Sequence, residues 1–152
     1  MKKIFAVTNQ KGGVGKTTTT INLAASLALA DQNVLIVDMD PQANLTSGIG
    51  KKGSFRTAGT VYEALTADTE PEIVNFIVPT DVAGLSLLPA DRNLTGAEVE
   101  LVSLVQRERR LRPLLQQAKT DFDYILIDTP PSLGFLTLNA LVAAEGMIIP
   151  LT

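Results

Sequence analysis

The chain has 152 residues, 45% of them hydrophobic, a formal net charge of −3, and neither cysteine nor histidine. That length supports one domain with a real core, and the missing residue types exclude disulfides, thiolate metal sites, imidazole ligands and histidine-based triads. The mild acidity gives no global field for nucleic acid, and the apolar run after Met1-Lys2-Lys3 is too short for a signal-peptide core or a bilayer span, so a cytoplasmic setting is expected.

Taken in chain order, Ile4-Phe5-Ala6-Val7 is the first predicted strand. Ile21, Ala24, Ala25, Ala28 and Leu29 then recur at helical spacing and predict a helix over 17–30, stopped by Asp31-Gln32-Asn33. Val34-Leu35-Ile36-Val37 is the second strand, which completes a βαβ unit. Residues 44–59, rich in Gly, Ser, Thr and Lys, read as a long loop or mobile segment inside the domain. Helices are expected over 60–65, 70–76, 97–105 and 109–119, with a strand at 85–88. Tyr124-Ile125-Leu126-Ile127 is a further strand, 133–144 a helix, and Met147-Ile148-Ile149 a last strand. The four continuous apolar runs, at 4–7, 34–37, 124–127 and 147–149, have the pattern of central parallel strands covered on both faces. The expected fold is α/β, a doubly wound and mostly parallel sheet flanked by helices, forming one domain over 1–152. Because a doubly wound sheet normally buries such a strand under a following helix, a C-terminal truncation is expected.

Gln10-Lys11-Gly12-Gly13-Val14-Gly15-Lys16-Thr17-Thr18 lies between the first strand and the first helix, where a phosphate loop must sit. Glycines let backbone N–H groups converge, the helix N-terminus adds positive partial charge, and a lysine reaches the outer phosphates. Gly15-Lys16-Thr17 satisfies the second half of the P-loop pattern, whereas Gln10 replaces its first glycine and Lys11 follows at once. Two rivals stand beside this reading. One is a plain glycine turn with solvated lysines. The other is a dinucleotide fold, with Gly13-Val14-Gly15 beginning its fingerprint and Asp38 as the ribose acid; Thr18 then stands where the third glycine belongs.

Asp128 ends a buried strand at the carboxyl edge of the sheet, where ligands of open α/β sheets bind. A carboxylate there can hold a magnesium water shell while the Thr17 hydroxyl ligates the ion. Otherwise it only caps the turn at Thr129-Pro130-Pro131. Asp38 and Asp40 flank Met39 at the end of the second strand. With no histidine to orient a water, Asp40 is the candidate for that role and Asp38 for support of the magnesium shell. The alternative makes both of them turn-formers ahead of Pro41.

Lys11 to Thr18, Asp38-Met39-Asp40-Pro41-Gln42 and Asp128-Thr129-Pro130-Pro131 together resemble the ParA/MinD family of deviant Walker-A P-loop ATPases, and the stretch 41–48 looks closer to chromosomal, Soj-like ParA proteins than to MinD. The resemblance implies ATP and Mg2+ as cofactors, bound by Lys11, Gly12, Gly13, Val14, Gly15, Lys16, Thr17 and Thr18. It implies Lys11 as the signature lysine that reaches the partner's nucleotide in an ATP-bound homodimer, Lys16 as the phosphate lysine of its own subunit, Asp40 as the water-positioning acid and Asp128 as the Walker-B acid. A dimerisation switch for chromosome or plasmid partitioning follows, with a ParB-type activator and nonspecific, nucleoid-associated DNA binding in the full-length family; the residues implied for DNA contact lie beyond 152.

Two other readings stay open: a nucleotide-binding module with little turnover, and a MinD-like positioning ATPase, against which the lack of a basic amphipathic terminal helix argues. No membrane partner is expected. Arg107, Arg109, Arg110 and Arg112 form a basic cluster among Glu98, Glu100 and Glu108, which reads first as a solvated helix face and second as a phosphate contact.

Overall fold

A strand survives burial on both faces only if its side chains are apolar throughout, and Val34-Leu35-Ile36-Val37 meets that condition up to the aspartate that ends it. The computed structural model, which describes residues 3–8, 15–49 and 56–150, places β2 (Val34–Asp38) in the middle of the sheet with all five residues buried. β5 (Tyr124–Asp128) lies beside it in parallel, and β1 (Lys3–Val7) lies on the other side of β5. The sheet has six strands in the order β3-β4-β2-β5-β1-β6. β4 (Leu85–Leu88) and β6 (Gly146–Ile148) are parallel to their neighbours, and the two-residue β3 (Val78–Pro79) runs antiparallel to β4.

Alternation along the strands divides the core between two faces. Leu35, Val37, Ile125 and Ile127 point to one side, where they pack with residues of α3 (Val61–Thr66), α4 (Leu94–Glu100), α5 (Leu111–Ala118) and α6 (Phe135–Ala143). Val34, Ile36, Leu85, Leu87 and Leu126 point to the other, against Ala24 and Ala28 of α1 (Gly15–Leu29) and Leu45 of α2 (Asn44–Gly48). Helices on both faces of a mostly parallel sheet are the expected doubly wound α/β arrangement. The small side chains of α1 let its backbone approach the sheet closely.

Several local expectations are corrected. Leu29 belongs to no packed face and is 82% exposed, because the buried stripe of α1 runs through Thr20, Ala24 and Ala28. Residues 44–48 form α2 rather than loop, and 50–55 of the expected loop lie outside the described residues. The helix expected over 70–76 is only a 3-10 turn, Ile73–Phe76. The one expected over 97–105 starts earlier, at Leu94, passes into a 3-10 turn at Leu101–Ser103, and ends where Leu104 turns extended. α5 is preceded by a separate 3-10 turn, Arg107–Arg109. β6 lies at the sheet edge and not at its centre, with Met147 and Ile149 each 58% exposed.

Three of the four clustered arginines, Arg107, Arg109 and Arg112, are exposed, as a solvated face requires. Arg107 donates to the carbonyl of Val102 at 2.9 Å and lies 5.1 Å over the Phe135 ring. Arg110 donates to the carbonyl of Ala67 at 3.0 Å. Arg110 is the one of the four that is only partly exposed.

Candidate phosphate-binding site

Parallel register decides which residues meet at the carboxyl edge. Val7 pairs with Asp128, and Asp128 with Asp38, so the ends of β1, β5 and β2 lie at one level. The segment after β1 leads to α1, whose first turn holds Gly15, Lys16 and Thr17 with no acidic residue among them. Lys16 is 5% exposed, and its Nζ donates to Asp128 Oδ1 at 2.5 Å. Thr17 Oγ1 donates to Asp128 Oδ2 at 3.0 Å. Both oxygens of Asp128 therefore face the start of α1, and the turn behind it is held by Thr129, whose hydroxyl donates to the carbonyl of Val7 at 2.9 Å. Burial raises the pKa of Asp128, against the pull of Lys16 and Thr17 in the other direction.

Across from this triad the chain leaves β2 through a tight turn. Asp40 is buried, its Oδ1 accepts the N–H of Gln42 at 3.0 Å, and its main-chain oxygen accepts the N–H of Ala43 at 2.8 Å. Asp40 is thus a turn-former, and the same turn makes it a wall of an open cleft of about 530 Å3 shared with Lys16, Thr17, Thr18, Gln42 and Pro131. Ala43 has φ 56°, a left-handed conformation that costs a non-glycine residue about 1–2 kcal/mol.

Asp38 is fully buried and is not among the residues that line this cleft. Its Oδ1 accepts the N–H of Asp40 at 3.1 Å, and its Oδ2 accepts both the N–H and the hydroxyl of Thr46, at 2.9 and 2.7 Å. Full burial pushes its pKa up to about 7, opposed by the hydrogen bonds from Thr46. Thr46 is the residue that sequence reasoning missed. The signal for it was thin: a buried strand-end carboxylate needs donors, and 44–48 is a hydroxyl-rich stretch directly after it.

Of the expected site residues, the structure brings together Lys16, Thr17 and Asp128, sets Thr18 and Asp40 on the same cleft, starts α1 at Gly15, and commits Asp38 to Thr46. Lys11, Gly12, Gly13 and Val14 lie outside the described residues. Among the described residues no three acidic side chains converge on a self-sufficient metal cage. Magnesium keeps several waters and takes one or two protein oxygens beside phosphate. The Thr17 hydroxyl and the Asp128 carboxylate are such oxygens, and the Lys16 ammonium with the first turn of α1 suits a phosphate.

The family model described as an AAA domain matches residues 2–152. The chain is 56% identical over 149 residues to the chromosome partitioning protein ParA of Myxococcus xanthus, covering 98% of this chain and 52% of that protein. It is 50% identical over 151 residues to the sporulation initiation inhibitor protein Soj of Bacillus subtilis, covering 99% of this chain and 58% of that protein. The chain thus spans about half the length of the curated relatives it matches. Among solved structures, cobyrinic acid a,c-diamide synthase of Mycobacterium smegmatis with bound ADP and magnesium superposes with a TM-score of 0.91 at 44% identity, over 99% of this chain and 60% of that one. With its family model matched over residues 2–152, the chain belongs to this AAA domain family, in the company of the ParA and Soj partitioning proteins.

Proposed function

We propose that the chain is the nucleotide-binding part of a partitioning ATPase that binds ATP with Mg2+, dimerises around it and hydrolyses it to reset the dimer. The observation that carries this reading is the Lys16–Thr17–Asp128 triad at the carboxyl edge of the sheet, with Asp40 on the same cleft. Similarity to ParA of Myxococcus xanthus and to the ADP- and magnesium-bound Mycobacterium smegmatis structure supports it.

In this reading Lys16 exchanges Asp128 for the outer phosphates, keeping its charge compensated throughout. Thr17 and Asp128 would hold the ion, the hydroxyl as a direct ligand and the carboxylate through its water shell. Bound magnesium supplies charge neutralisation on the phosphates. Asp40 accepts a hydrogen bond from the attacking water and aligns it. Lys11 reaches the partner's nucleotide, adding a cation where charge develops in the transition state. The partner implied by this reading is a ParB-type activator that stimulates hydrolysis by the dimer.

The test is magnesium-ATP binding and hydrolysis across a protein concentration series, with Lys11→Ala and Asp40→Ala beside the parent and mass followed by light scattering. Specific activity that rises together with an ATP-dependent dimer, and is lost in both variants, is the expected result. Full turnover by Lys11→Ala sinks the switch. Tight ATP binding with neither dimer nor turnover selects a nucleotide-binding module instead.

A further inference from the structure

We infer that Thr46 is a positioning residue for Asp40, acting through Asp38 as a strap across the exit of β2; this rests on the hydrolytic reading of Asp40. Asp40 is held to the cleft by a turn of four residues, Asp40 to Ala43, whose backbone is strained at Ala43. Something outside the turn must hold it there.

The hydrogen bonds identify what does. Asp38 Oδ1 takes the Asp40 N–H, which fixes the backbone from which the Asp40 carboxylate projects. Asp38 Oδ2 is fixed in turn by the N–H and hydroxyl of Thr46. The Thr46 hydroxyl gives its one proton to Asp38 and accepts the N–H of Ala90 at 3.1 Å. Ala90 follows Pro89, whose carbonyl accepts the N–H of Val61 at 2.9 Å at the start of α3. Thr46 is 1% exposed and Ala90 also 1%, so water cannot take over either bond. One hydroxyl therefore joins three segments: the β2 exit carrying Asp40, helix α2, and the loop after β4.

This assigns Asp38 a use other than a direct metal ligand, since its carboxylate is spent on Asp40 and Thr46. It also ties the Asp40 turn to the adjoining cleft of about 730 Å3, which is lined by Pro41, Gln42 and Ser47 on one side and Asp91, Arg92 and Asn93 on the other.

The experiment compares Thr46→Val, which keeps the shape and removes both hydroxyl bonds, with Thr46→Ser, which keeps them. Thr46→Ala replaces the valine variant if that one does not fold. Affinity for a fluorescent ATP analogue with magnesium should stay within about threefold of the parent, while kcat falls by about tenfold or more with KM little changed. Thr46→Ser should keep at least about half the parent rate. Parent-like turnover in Thr46→Val, or equal loss in valine and serine variants, overturns the strap. Amide hydrogen exchange of the nucleotide-free protein separates this from the proposed function: Asp40 and Ala90 should exchange about tenfold faster in Thr46→Val. If the parent does not hydrolyse ATP, faster exchange still upholds the strap and unchanged exchange removes it.

Discussion

Lys16 and Asp128 form a buried ion pair, 2.5 Å from Nζ to Oδ1, between the first turn of α1 and the last residue of β5. Each residue is the other's compensation in the absence of a bound anion, so removing either leaves a buried charge without its partner. Lys16→Met should lower the unfolding free energy by about 3 kcal/mol, and the double variant Lys16→Met/Asp128→Asn should recover much of that loss. Urea denaturation of the four proteins in the cycle measures it; a Lys16→Met chain as stable as the parent would show that the pair carries no structural weight.

Asp40→Ala should separate binding from turnover. The substitution removes the bond to the Gln42 N–H and leaves Lys16, Thr17 and Asp128 in place. ATP affinity should change by no more than about threefold while hydrolysis drops by about a hundredfold. Isothermal titration and a phosphate-release assay on the same preparation give both numbers, and parallel losses in the two would assign Asp40 to binding.

Stability should depend on pH through Asp38. Its folded pKa of about 7 stands above the ordinary value of 3.8, so the folded state holds the proton more tightly and stability falls as pH rises through that window. Asp128, also raised, acts in the same direction. Glu145, lowered chiefly by the Lys119 hydrogen bond, acts the other way and at lower pH. The nucleotide-free protein should gain about 2 kcal/mol between pH 7 and pH 5. Urea midpoints at the two values decide it, and a lower midpoint at pH 5 would mean that Asp38 is ionised throughout.

Asn139 should matter for stability alone. It is fully buried on α6, its Oδ1 accepts the N–H groups of Arg110 and Leu111 at the start of α5, and its Nδ2 donates to the carbonyls of Arg107 and Phe135. Asn139→Leu should cost about 2–3 kcal/mol, the desolvation of α5 donors left without partners. The melting temperature should drop while ATP affinity at a temperature below the transition stays put; a loss of affinity there would tie α5 and α6 to the site.

What the sequence made legible follows from which interactions are local. The strands ending in Asp38 and Asp128 are apolar runs that stop at one acid, so both the sheet and its carboxyl-edge chemistry could be read from neighbouring residues. The meeting of Thr17 with Asp128 was expected from the phosphate-loop reading, whereas β5 lying beside β1 and Lys16 pairing with the same carboxylate are what the structure adds. Thr46, Asn139 and Glu98 were not legible. Glu98 caps α6 by accepting the N–H groups of Phe135 and Leu136 from another helix, and Asn139 caps α5 in the same manner, so neither helix start carries its own capping residue. Charge pattern alone could not show that Phe135 lies under Arg107. Helix α3 is the counterexample. Its Thr60 and Glu63 form a capping box within four residues, and its start fell where the sequence put it.

The exposed flank of β6 bears on how any of these measurements is read. On its outer side no further strand pairs with it among the described residues, and Met147 and Ile149 stand beside that open row of peptide groups. Such a row is a template for strand addition, and the copy most abundant in a concentrated sample is the same chain. Mass that grows with protein concentration in the absence of nucleotide would then report edge-to-edge stacking through β6, a self-association unrelated to ATP, and a lysine placed at Met147 should suppress it without touching the dimer that nucleotide induces.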